Sequence, residues 1–290
     1  MRKTFILILI LSVMMIGSTV FGKPLQQVTD IYQYNESKID VGSVYHYITS
    51  DIEGKNPMDT FLYVKSKDTI VTYKDYRKIL NEVYIINWTF DWDHMMLKHA
   101  VAVNPLNNKK FPNIDLTTDA YTDYQKKKYI INHFRNDISG KKTNNSRVVS
   151  LERIPSYDYS FFHFDLQFAM RFLKKGVKNF KIGNIYSRSY NNGTVKYIGD
   201  EKVNGILCQK YYIQMDGILA IIFNSKGYLW LAKNDPRHYA VKYINYQRRN
   251  WSWKNFKLEL ADIQKMEPRQ WDDFVAAKVK EANQELDLKQ

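Results

Sequence analysis

The densest grouping of chemically capable side chains is Asp91-Trp92-Asp93-His94, with His99 following shortly after. Two carboxylates and two imidazoles this close in sequence could hold a divalent metal or share general acid and base work. The spacing opposes both. Residues 94 and 99 project from opposite faces of a strand, and they are not the four-apart pair that shares one face of a helix. A polar turn is the other reading of these residues. Asp91, Asp93 and His94 are the only metal candidates, and neither a metal nor a cofactor is expected. The chain has no Gly-x-Ser-x-Gly elbow, no Gly-rich phosphate loop and no cysteine cluster, which argues against nucleotide chemistry. No nucleic-acid partner is expected. His46, His133, His163 and His238 stand alone in sequence.

Two aromatic groupings point to binding instead. In the run Tyr246-Gln247-Arg248-Arg249-Asn250-Trp251-Ser252-Trp253-Lys254, Arg248, Trp251 and Trp253 suit stacking on sugars or contact with a membrane interface. The same tryptophans would also serve an ordinary turn that folds back onto a sheet. After Pro155, the segment from Tyr157 to Lys175 places Phe161, Phe164, Phe168 and Phe172 at nearly helical spacing and ends in Lys174-Lys175-Gly176. That pattern predicts a buried helix with a C-terminal stop. With Tyr157, these phenylalanines are candidate ligand-binding residues on a lid, or they fill a close-packed core. Cys208 is the single cysteine, so no internal disulfide can form, and it reads as a small buried hydrophobe.

The elements that must position these groups are mostly strands. A short opening helix is predicted within Lys23 to Tyr34, where Leu25, Val28, Ile31 and Tyr32 recur at helical spacing. From Val44 the period changes to two. Strands are predicted there and at Thr60-Val64, Thr69-Tyr73, Val83-Phe90 and Met95-Val103, joined by polar turns. Tyr124 to Phe134 fits strand or helix. The polar run from Asn136 to Arg147 reads as a mobile loop. The second half predicts an antiparallel meander over Thr194-Ile198, Ile206-Met215, Leu219-Phe223, Tyr228-Ala232 and Tyr239-Tyr246, with Gly-containing turns between the strands. A last strand is predicted near Lys257 to Met266. Trp271, Phe274, Val275, Val279 and Ala282 then space out a C-terminal amphipathic helix.

The start of the chain reads as an export leader. Arg2 and Lys3 precede an uncharged apolar core from Phe5 to Ile16, and Gly22 supplies a small residue for cleavage. A membrane-spanning helix needs roughly 20 apolar residues, so residues 1–22 are expected to be removed, leaving no integral membrane span and a single β-rich domain over 23–290. Loss of Arg2 and Lys3 takes the formal net charge from +13 to +11. That excess favours anionic partners such as an envelope surface, although scattered lysines also make an ordinary solvated surface. The setting expected is periplasmic or secreted, with bacterial origin favoured.

The segment Tyr197-Ile198-Gly199-Asp200-Glu201-Lys202-Val203-Asn204-Gly205-Ile206-Leu207-Cys208-Gln209-Lys210-Tyr211, followed by Gly227-Tyr228-Leu229-Trp230-Leu231, resembles exported half-barrel proteins of the periplasmic lipoprotein-carrier and receptor superfamily. The resemblance covers about residues 180–246. It implies a curved antiparallel sheet wrapped around helices, with room for an acyl chain, and it carries no functional residue across. The absence of a lipid-attachment cysteine departs from the anchored receptors. The fold expected is therefore mainly β (β-rich α+β), a curved antiparallel sheet or half-barrel with a central lid helix and a C-terminal helix. The function expected is non-enzymatic binding of a hydrophobic or envelope-associated ligand such as a lipid or lipoprotein. The alternatives are a surface-interaction protein with a filled core and, third, an envelope hydrolase.

Overall fold

The structure, a computed structural model, describes residues 28–77, 82–106, 116–136, 142–150, 158–159, 168–186, 189–215, 226–246 and 255–288. The leader at 1–22 lies outside these residues, as do the strand expected at Leu219-Phe223 and the stretch from Gln247 to Lys254. A single turn of helix, α1 (Val28–Ile31), is followed by a short 3-10 turn at Glu36–Lys38, which Asn35 caps by accepting the Ser37 N–H at 3.0 Å. The first eight strands are β1 (Ser43–Asp51), β2 (Met58–Val64), β3 (Thr69–Asp75), β4 (Val83–Asp91), β5 (Met96–Val103), β6 (Leu116–Asp123), β7 (Lys128–Asn136) and β8 (Lys142–Ser150). The second set is β9 (Asp158–Tyr159), β10 (Asn179–Tyr186), β11 (Ser189–Val203), β12 (Ile206–Met215), β13 (Lys226–Ala232), β14 (Ala240–Tyr246) and β15 (Phe256–Lys265), and α2 (Pro268–Leu288) follows.

Among the described residues all fifteen strands form one open, curved sheet. From β1 the chain steps outward strand by strand to β8, and from β9 it steps back inward to β15, which pairs antiparallel with β1. The first and last strands therefore meet in the middle, while β8 and β9 form the two edges. Every pairing is antiparallel except that of β9 with β10.

Both faces of the central strands are covered, so burial runs nearly unbroken along β2 and β3. Tyr45, Tyr47, Leu62, Ile70 and Trp88 belong to one apolar cluster, under α1 and the segment around Phe168 to Phe172. Their sequence neighbours Val44, Phe61, Tyr63, Val71 and Tyr73 point the other way, into a second cluster with Trp271, Ala282 and Leu286 of α2. The period of two that marks a strand thus sorts each residue to one cluster or the other.

Three sequence expectations are corrected or narrowed. The polar run at 136–147 was expected to be a loop, yet Lys142 to Arg147 lie in β8, paired residue by residue with β7. Polar composition misled because β8 is an edge strand, where Asn145, Ser146 and even Val148 are exposed; edge strands need no alternating apolar face and gain from being polar. The helix expected from Tyr157 to Lys175 is not continuous. Asp158 and Tyr159 pair with Gly183 and Asn184 as β9, and among the described residues of this stretch helical geometry covers only Phe168 to Met170. There the amides of Arg171, Phe172 and Leu173 bond three residues back, and the chain then turns to α1, with Gln33 N–H donating to Phe172 O at 2.8 Å and Lys174 N–H to Ile31 O at 2.9 Å. Backbone pairing with a distant segment thus replaces the helical bonds that side-chain spacing suggested. The segment from Tyr124 to Phe134 resolves into a turn followed by β7.

Candidate functional site

The segments 31–38 and 170–177 lie together over the sheet and enclose a cleft of about 840 Å³ against β12 and β13. Met170, Leu173, Val177, Tyr211 and Leu231 supply its apolar walls. Lys38, Arg171, Lys174 and Lys175 supply the cationic part of its lining, and His238 lies beside them. The two covering segments are clamped by the α1 backbone bonds and by Lys38, whose Nζ donates to Arg171 O at 2.7 Å. Burial, followed by the nearby charges of Lys38 and Arg171, holds the His238 imidazole below its ordinary pKa. Burial likewise lowers that of Lys38.

Phe168 and Phe172, two of the residues singled out in sequence, are fully buried beside this cleft. The Phe172 ring meets Trp92 edge-on at 5.1 Å and Tyr34 at 5.1 Å, while Trp92 stacks on Phe90 at 4.5 Å. Together these rings form the seat on which the covering segment rests. Tyr157, Phe161, Phe164, Arg248, Trp251 and Trp253 lie outside the described residues.

The Asp91 grouping is a hairpin turn between β4 and β5. Asp91 accepts the His94 backbone N–H at 3.1 Å, its other oxygen lies 2.9 Å from His94 Nδ1, and Tyr124 OH donates to it from the next hairpin. Burial works to raise the Asp91 pKa, but these hydrogen bonds outweigh it and hold the carboxyl below its ordinary range. Burial and the Asp91 carboxylate push the Tyr124 phenol up. His99 is elsewhere, with Nε2 at 2.8 Å from Asp119 Oδ1. The four residues do not converge, and among the described residues no three potential ligands gather into a metal site. Trp92, within the same turn, donates its indole N–H to Lys67 O at 2.8 Å. The turn therefore positions the aromatic seat of the cleft.

A second hollow of about 800 Å³ runs along the seam of α2 with β3 and β4, lined in part by Val71, Ile85, Trp271, Val275 and Val279. Cys208 is fully buried, and desolvation pushes its thiol up to about 11. Among the described residues no helix is long and apolar enough to cross a membrane.

Sequence reasoning missed Lys38 and Arg171, and it left His238 as an isolated histidine. Lys38 and Arg171 are 133 residues apart, so no local spacing could announce their meeting. Leu173 falls near the end of the stretch that the phenylalanine spacing marked and Val177 just beyond it, on wall positions set by the turn rather than by a helix.

No protein-family model matches the chain, and no curated protein matches it in sequence. Among solved structures it is similar to a β-barrel-like protein of the domain of unknown function DUF1849 from Brucella abortus, with a TM-score of 0.39 and 11% identity over 78% of this chain and 97% of that one. It is also similar to the lipoprotein LppX from Mycobacterium tuberculosis, with a TM-score of 0.25 and 10% identity over 80% of this chain and 91% of that one. A domain assigned to outer membrane lipoprotein sorting, from Vibrio parahaemolyticus, gives a TM-score of 0.25 and 10% identity over 83% and 94%. Two of the three carry lipoprotein in their names. What those proteins bind belongs to them.

Proposed function

We propose that the protein is an exported, non-enzymatic binder of an amphiphilic, envelope-associated ligand such as a lipid or lipoprotein. The observation that carries this reading is the cleft under residues 31–38 and 170–177. Its volume of about 840 Å³ lies in the range of small-ligand sites, which run from roughly 300 to 1,000 Å³. Its walls are divided between apolar side chains and lysines, as an acyl chain with a polar end requires. The leader-like start of the chain supports export, and the basic excess supports an anionic envelope surface as a further partner. Tyr157, Phe161, Phe164, Phe168 and Phe172 are the candidate contacts to the apolar part of the ligand in this reading, and Arg248, Trp251 and Trp253 the candidate contacts to a sugar or a membrane interface.

The test is native mass spectrometry of protein purified from an exporting host, followed by organic extraction. A stoichiometric lipid is expected. Val177→Trp, which fills the cleft, is expected to remove it, whereas Val279→Trp, in the α2 seam, is expected to leave it bound. A ligand-free mass together with no uptake of a hydrophobic fluorophore would defeat the reading. Loss of the ligand with Val279→Trp alone would move the site to the seam.

A further inference from the structure

The cleft carries positive charge that the described residues leave unneutralised. Lys38 and Arg171 face each other through reciprocal contacts, with Lys38 Nζ donating to Arg171 O at 2.7 Å and Arg171 Nη1 lying 3.4 Å from Lys38 O. Two cations are thus held together, and neither has a carboxylate partner among the described residues. Arg171 is 1% exposed, and its Nε and Nη2 have no hydrogen-bond acceptor. The rings of Phe168 and Tyr45 lie 4.5 and 5.2 Å from the guanidinium carbon. Such ring contacts stabilise the charge but leave the in-plane N–H donors unused. Buried donors without acceptors are costly and rare, so each calls for a partner.

Nearby carboxylates do not fill the role. Glu36, in the cleft lining, pairs with Lys67 at 2.7 Å. Asp235, close enough to feel the Arg171 charge, has both oxygens engaged by Arg237, at 2.8 and 2.7 Å. Asp40 is held by Arg237, Ser43 and Lys265. Lys174 and Lys175, on the same lining, have no ion pair among the described residues.

We propose that the cleft is an oxyanion site, in which Arg171 and Lys38 bind a phosphate or carboxylate head group while Leu173, Val177 and Leu231 take the apolar part of the same ligand. This rests on the amphiphile reading above and adds the chemistry of the head group. The free Nε and Nη2 donors form the side of the guanidinium fork that grips two oxygens of one oxyanion. Lys38 Nζ, now on Arg171 O, exchanges that carbonyl for a ligand oxygen on binding.

The experiment is calorimetric titration of the purified protein with dioctanoyl phosphatidate, dioctanoylglycerol and inorganic phosphate, repeated with Lys38→Gln and Arg171→Gln. Phosphatidate is expected to bind tighter than dioctanoylglycerol by roughly ten- to a hundredfold, the span expected of charge-assisted hydrogen bonds. Each substitution is expected to cut that preference by about tenfold or more; Lys38 is only half-buried, so its variant stands in should Arg171→Gln fail to fold. Equal affinity for the two lipids, unchanged by Lys38→Gln, overturns the oxyanion site and leaves the lipid reading intact. Inorganic phosphate binding as tightly as phosphatidate, with no binding of dioctanoylglycerol, upholds the oxyanion site with a free anion as ligand and overturns the lipid reading. Binding of none of the three overturns both.

Discussion

Arg237 shows how one side chain in a hairpin loop can join parts of the chain that are far apart in sequence. It grips Asp235 through Nε and Nη2 at 2.8 and 2.7 Å and reaches Asp40, just before β1, through Nη1 at 3.1 Å. The Arg237 hydrogen bonds are the main reason the Asp235 carboxyl sits below its ordinary range, and they outweigh the effect of burial. A carboxylate with a depressed folded-state pKa contributes stability that is fully present above the unfolded value, near 3.8, and is lost as pH falls through the folded value. Asp235→Asn is therefore expected to cost about 1–2 kcal/mol at pH 7, the magnitude of a charge-assisted pair that is only partly buried. Below the folded-state value the deficit should shrink towards zero. Urea unfolding of both proteins at neutral and acid pH measures this, and an equal deficit at both would show that the pair does not act through its charge. The polar turn at Asp91 to His94 was legible in sequence as one of two readings, because the Asp91–His94 contact closes within it. The joining of Arg237 to Asp40, like that of Lys38 to Arg171, was not, because only the folded sheet brings those residues together.

At the level of elements, legibility followed the number of buried faces. Strands with a strong β-branched and aromatic pattern, such as β2, β3 and β12, were read close to their observed limits. Polar edge strand β8 was read as a loop, and the segment around Phe168 as a long helix, because its phenylalanines keep helical spacing while its backbone pairs with α1. The β11–β12 hairpin illustrates what turn residues can specify. Val203 pairs with Ile206 across a two-residue turn, in which Asn204 and Gly205 have φ of +50° and +80°. Both central residues are left-handed, the condition that Asn-Gly satisfies best in such hairpins. Because Asn204 is exposed, replacing it removes no packing and isolates the backbone cost. Asn204→Ala is expected to destabilise by about 1 kcal/mol, while Asn204→Gly stays within a few tenths. A shift in urea midpoint at constant slope would register the difference; equal midpoints for the two variants would mean that the turn relaxes into another type.

The whole molecule is organised by the pairing of its first and last strands. The β1–β8 and β9–β15 meanders touch as sheet neighbours where β1 pairs with β15, from Ser43 opposite Lys265 to Asp51 opposite Phe256. α2 reinforces the same seam from the second half, stacking Trp271 on Tyr63 at 5.0 Å and setting Phe274 edge-on to Phe61 at 4.9 Å. At its far end Glu285 lies 2.9 Å from Arg77, which also pairs with Asp75 at the end of β3. Neither half is complete alone. Without β15 and α2, the buried Tyr45 and Tyr47 of β1 lie on a bare edge and the aromatics of β2 face water; without β1, β15 is the exposed strand. Long unpaired apolar edges drive aggregation. In sequence, by contrast, the two halves are joined between β8 and β9, the two outer edges of the sheet. A chain divided between Ser150 and Asp158 and co-expressed as two pieces is therefore expected to assemble through β1, β15 and α2 and to co-purify one to one, with each piece insoluble when made alone. Size-exclusion chromatography and intact-mass measurement of the co-expressed pieces decide it. A soluble, cooperatively unfolding monomer of either piece would show instead that the halves are independent domains, and that the central pairing is a docking contact between them.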